Sequence, residues 1–250
     1  MRTSLLQNVL WFSGPLLQSV VAVTMIRRRL VKRFPIFAGY TVFHVLLFAV
    51  TYPIHRISYL VYFDVYWGAE IIDMIFVLFV IQELFSDVFA PYQGIRSVGR
   101  VLFRSAALIL IFFSILLARS GGSRTISPFL DRIVSLKRSV HVFEISILLV
   151  LFLACGILGI VWYRFAFGIA VGMGLALSGE AIASTLRAQL GVTGNPFYIW
   201  LEPISATCAT LTWAFYAVSR DRQVEAPPPT AFATQIASWN HALEHFFSKS

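Results

Sequence analysis

Charge is what this chain has least of. Only 13% of its 250 residues are charged, with 12 Asp and Glu in all and three lysines, Lys32, Lys137 and Lys249. A soluble domain carries about a quarter charged residues, so an ordinary water-facing surface is excluded. Cysteine is nearly absent. Cys155 and Cys208 both fall inside apolar segments, which excludes a disulfide framework and leaves two thiols acting as small apolar side chains. The apolar segments hold no HExxH, no set of three histidines and no cysteine pair at ligand spacing, and the chain has no nucleophile motif or phosphate-cradling loop. No catalytic residue, metal or cofactor is therefore expected, and the reading leans away from an enzyme.

What fills the chain instead is apolar side chain, 58% of residues with a mean hydropathy of +0.77. A helix crosses a bilayer with ~20 largely apolar residues, and seven segments qualify as spans. They run about 5–26, 36–52, 59–85, 101–118, 140–161, 165–186 and 197–218. The fold class expected is an all-α integral membrane protein, a bundle of seven transmembrane helices in one domain over 1–222. Residues 223–250 form a separate tail. There Pro227, Pro228 and Pro229 make a stiff spacer, and Phe232, Ile236, Trp239, Leu243 and Phe246 make one apolar stripe on a helix. Such a helix lies on the inner membrane surface or docks on a cytoplasmic or membrane partner. Its His241 and His245 have one-face spacing for a metal but lack obvious further ligands, so no metal site is assigned.

Net charge is +8, and 17 of the 20 basic residues are arginine. They cluster at the ends of apolar segments, where they orient the chain and reach the headgroups, so the expected partner is the lipid bilayer and not nucleic acid. Only Arg2 precedes the first apolar run and Arg27, Arg28 and Arg29 follow it, the pattern of a retained first helix with a cytoplasmic stop. The N-terminus is expected outside and the C-terminus inside, in the plasma membrane. Retinal proteins resemble the chain in helix number only, because no lysine lies inside a span to carry a Schiff base.

The acids are more informative than the bases. Asp64, Glu70, Asp73 and Glu83 lie on the third span and Asp87 just beyond its end, with the unbroken apolar run Met74 to Ile81 among them. On a helical wheel Glu70, Asp73, Glu83 and Asp87 make one stripe while Asp64 points elsewhere. Asp64, Glu83 and Asp87 read as interface charges, solvated or paired with Arg56, Arg96 or Arg100. Glu70 and Asp73 lie near mid-membrane, where a charge costs roughly 2.5–3.5 kcal/mol on insertion scales. They form either a structural hydrogen-bonded network or a ligand or proton site. His44 lies at the depth of Asp73 and is its expected partner, while His141 and Glu144 share a helix face. Glu180 and Glu202 reach the same outer half. The expected site is thus Glu70, Asp73, His44, Glu144, Glu180 and Glu202 with Trp67 and Tyr66, in an outward-facing acidic cavity whose aromatic wall suits a small, cationic ligand or protons. Gly168, Gly172 and Ala176, spaced by four, are expected to let a neighbouring helix approach closely. The functional expectation is a sensory or receptor-like module. A proton- or cation-coupled transporter or channel, or a structural subunit of a membrane complex, remain as alternatives.

Overall fold

Arg29 is where the first helix stops. In the computed structural model, which describes residues 5–90, 126–158, 160, 162–190 and 195–219 together with 101, 104, 105, 108 and 112, helix α1 spans Leu5–Arg27. Arg29 then takes φ 58°, and a short 3-10 turn, Leu30–Lys32, hands the chain to α2, Pro35–Ile57. Pro35 opens that helix where a missing N–H costs nothing. The N–H groups of Ile36 and Phe37 donate to the two carboxylate oxygens of Glu83 at 2.8 and 2.9 Å. A carboxylate from a neighbouring helix thus satisfies donors that α2 cannot satisfy itself.

Ser58, in extended conformation, separates α2 from α3, Tyr59–Val88. Three further helices follow: α4, Ile126–Leu158; α5, Arg164–Leu190; and α6, Asn195–Val218. The described residues are all-helical and hold no strand. Among the described residues, three stretches, Pro35–Ile57, Ser139–Ile157 and Arg164–Leu186, are long and apolar enough to cross a membrane, which supports a membrane protein. Large side chains such as Leu16, Val150, Ile157 and Phe215 stand on the outside of the bundle, as lipid contact requires.

Cross-helix contacts fix the directions. Helices α2 and α3 are antiparallel, with Arg33 against Asp87 and His44 against Asp73. Arg28 donates to the carbonyls of Val218 and Ser219, bringing the C-terminal ends of α1 and α6 together and satisfying carbonyls that α6 leaves open. The aromatic core fills that same end, where Phe34 meets Phe165 and Phe37 meets Trp213 at ring separations of 5.6 and 5.2 Å. Phe152 of α4 stacks on Trp162 at 5.1 Å, so α4 also finishes there, beside the C-terminal half of α3. Helices α3 and α4 therefore point the same way.

Several expected boundaries move. The second span runs on through Pro53 to Ile57 because a proline in the last turn removes one bond only. The polar stretch before the expected fifth span is the first part of α4. Charged residues there need not end a helix when their partners lie on neighbouring helices. The expected fourth span, 101–118, and the tail, 223–250, lie outside the described residues save for isolated positions of the former.

Helices α5 and α6 pack most closely. A β-carbon added at Gly168 would overlap Tyr216, at Gly172 the Trp213 indole, and at Gly179 the Ser205 hydroxyl, so the seam extends to Gly179, beyond the expected spacing. Gly174 faces open space. Gly172→Ala should therefore lower stability by about 1–3 kcal/mol, the usual cost of overpacking, while Gly174→Ala stays near neutral. Thermal unfolding in detergent checks this; equal midpoints for the two variants would contradict the packing described.

Candidate functional site

A buried charged group must find an opposite charge or a proton, and this requirement organises the middle of the bundle. Glu70 and Asp73 are three residues apart on α3, so they share a face. Because α4 is continuous, Lys137, His141 and Glu144 follow at intervals of four and three and share one face as well. Glu180 meets them from α5. Lys137 Nζ lies 2.6 Å from Glu70 Oε2 and 2.9 Å from Glu180 Oε2. The same Glu180 oxygen is 3.0 Å from His141 Nε2, and these contacts of Glu180 are ionic without being aligned hydrogen bonds. On its other side His141 Nδ1 lies 2.9 Å from Glu144 Oε2. Five side chains thus form one line across three helices, Glu70–Lys137–Glu180–His141–Glu144.

Burial is deepest at the Glu144 end, where His141 and Glu144 are 1% and 0% exposed. Glu144 Oε1 has no hydrogen-bond partner among the described residues. Beside the line stands a second pair, His44 Nε2 at 2.7 Å from Asp73 Oδ1. With Lys137 and both imidazoles protonated, the four carboxylates still leave one negative charge. A proton on one carboxyl would cancel it, and Glu144, deepest and with one oxygen unpartnered, is the natural holder.

The structure places the remaining expected residues around this core. Glu202 is half-buried on α6 and close enough to Tyr66 and Lys137 to act on both through its charge. Tyr66 packs on Tyr62 at 5.9 Å and on Trp67 at 5.5 Å. Asp64 is exposed. Asp87 pairs with Arg33 through two bonds of 2.7 and 3.1 Å, not with Arg56, which instead bonds the Tyr52 hydroxyl; Arg96 and Arg100 lie outside the described residues. Comparison with protein-family models, curated proteins and solved structures finds no match to any of them. The site therefore has to be read from its own geometry.

Lys137 was the residue that sequence reasoning missed. Its signal was present in the spacing to His141 and Glu144, but the polar surroundings read as a loop. A cavity of ≈ 260 Å³ opens next to the network, between α1, α2, α3 and α6, and His44 and Tyr66 belong to its wall. Its described lining contains no carboxylate, lysine or arginine, so the acids stand behind the wall and not in it.

Removing Lys137 should be costly because two partly buried carboxylates lose their cation. Lys137→Ala is expected to destabilise by on the order of 3–5 kcal/mol, the cost of breaking a buried pair from one side. Adding Glu180→Gln to Lys137→Met should restore part of that loss. Chemical unfolding of the single and double variants tests the coupling; strictly additive losses would contradict a shared network.

Proposed function

We propose that the chain is a seven-span sensory module of the plasma membrane. Its buried network binds and releases protons and passes the change to the cytoplasmic side. The observation that carries this reading is the set of four carboxylates facing one lysine and two histidines, with Glu144 fully buried. Such a set is balanced by protons shared among its dissociable groups. The carboxylates already have cations within the chain, which favours protons over a cationic ligand.

Seven spans are supported by direction. Helices α3 and α4 run the same way, which fits one further span between them, and the apolar stretch 101–118 has the length and composition of a span. The arginine-rich turn after α1 supports N-terminus outside and C-terminus inside. The network then lies in the outer half.

A contact path supports transmission. The Tyr40 ring sits 4.5 Å from His44 and 5.9 Å from Trp213 of α6. Helix α6 leads toward the tail, whose amphipathic stripe suits a partner. Against a through-going pathway stands the segment between Asp73 and Glu83, where Met74, Val77, Leu78, Val80 and Ile81 are all buried apolar side chains. Ten residues of helix put about 15 Å between those acids. The structural-subunit reading is weakened by the internal pairing of the acids.

The test uses purified protein in nanodiscs and the emission of Trp213, taken as wild type minus Trp213→Phe. That difference should change between about pH 8 and pH 5, and Tyr40→Leu should remove the change. In sealed vesicles the protein should carry no sustained proton current. A pH-independent Trp213 signal would overturn the sensing path, and a sustained current would establish transport instead.

A further inference from the structure

The cavity beside His44 has chemistry of its own. Gly14 and Pro15 of α1 supply a stretch of wall with little side chain, and Phe48, Tyr52, Tyr62 and Tyr66 supply rings. His44, which alone in the described lining can carry a positive charge, is already paired with Asp73, so the wall has no free charge to neutralise an ion. At ≈ 260 Å³ it falls below the ~300–1,000 Å³ of sites for drug-sized ligands. An uncharged molecule of one or two rings fits those limits, and aromatic walls favour an aromatic guest.

The polar groups narrow the class further. Thr51 Oγ1 donates to the Leu47 carbonyl at 2.7 Å, and Thr210 Oγ1 donates to the Ala206 carbonyl at 2.8 Å. Both protons are committed within their own helices, so each hydroxyl offers only lone pairs to the cavity that both residues line. His44 spends Nε2 on Asp73, which leaves Nδ1 as its available ring nitrogen. Gln18, also in the wall, can donate or accept, so two hydroxyls restricted to accepting beside one amide suit a guest hydroxyl that both donates and accepts. We infer that the cavity between α1, α2, α3 and α6 is a binding site for a small uncharged hydroxyaromatic molecule of the phenol class, its ring among the tyrosines and its hydroxyl donating to Thr51 or Thr210. This goes beyond proton sensing and does not depend on it.

Gly14 provides a steric test, because it lines the cavity and a β-carbon there meets nothing within 4 Å, so a larger side chain starts from open space. Fluorine NMR of 4-fluorophenol, 4-fluorotoluene and 4-fluorobenzoate with full-length protein in nanodiscs, referenced to empty discs, reads binding directly. Expected are saturable binding of 4-fluorophenol, roughly tenfold weaker binding of 4-fluorotoluene, as a lost hydrogen bond of about 1.4 kcal/mol implies, and none of 4-fluorobenzoate. Gly14→Leu should abolish binding at an unchanged unfolding midpoint. Thr51→Val with Thr210→Val should bring the phenol down to the affinity of the toluene. Equal affinity for phenol and toluene in the wild type would mean an apolar filler such as an acyl chain and would overturn the proposal. Absence of saturable binding, or full binding in a folded Gly14→Leu variant, would overturn it too. Either failure leaves the pH response of Trp213 untouched, so the two readings fall separately.

Discussion

The rest of the arrangement depends on one ammonium group shared by two carboxylates. Lys137 Nζ joins Glu70 of α3 to Glu180 of α5 from its own position on α4. Three helices are thereby held at one level by an interaction that water would weaken and an apolar interior strengthens. Once Lys137 is committed, His141 is left to serve both Glu180 and Glu144, and Asp73 turns to His44 on α2. Each pairing follows from the one before it. The bundle gains register from this chain of contacts, because a shift of one helical turn along any member would strand at least one charge.

The opposite end is built by a different rule. There Glu83 meets the N-terminus of α2, Arg28 meets the C-terminus of α6, and Arg33 spans Asp87 and the Tyr163 ring, 3.8 Å away. These charges close helix ends. Between the two ends lie packed apolar side chains of α3 with the Phe34, Phe37, Phe165 and Trp213 rings against them. Charge at one level can therefore change without the other level responding through water. Communication has to pass through side-chain contact, and the aromatic series from His44 through Tyr40 to Trp213 provides one.

Much of this could be read from residue types before any coordinates. The separation of Glu70 and Asp73 from the flanking acids rested on depth alone, and depth also paired His44 with Asp73, now 2.7 Å apart. The glycine spacing of α5 pointed to close packing, and the seam continues to Gly179, eleven residues or about three helical turns from Gly168. Lys137 was hidden because hydropathy treats a lysine among polar residues as a loop, whereas helix continuity is decided by partners on other helices. Charge pairs such as Arg33 with Asp87 are likewise set by which helix ends meet. Of the cavity wall only His44 and Tyr66 belonged to the site expected from sequence, since the cavity itself is the space left where four helices fail to fill one another.

The central claim is that one buried carboxyl of the network exchanges its proton while Lys137 stays charged. Carbon NMR of protein labelled at the glutamate side-chain carboxyl, assigned with Glu144→Gln, Glu180→Gln and Glu70→Gln, measures this directly across about pH 5–8. The account predicts that a carboxyl carbon of the network changes its shift within that window. Constant shifts at all three positions would contradict it.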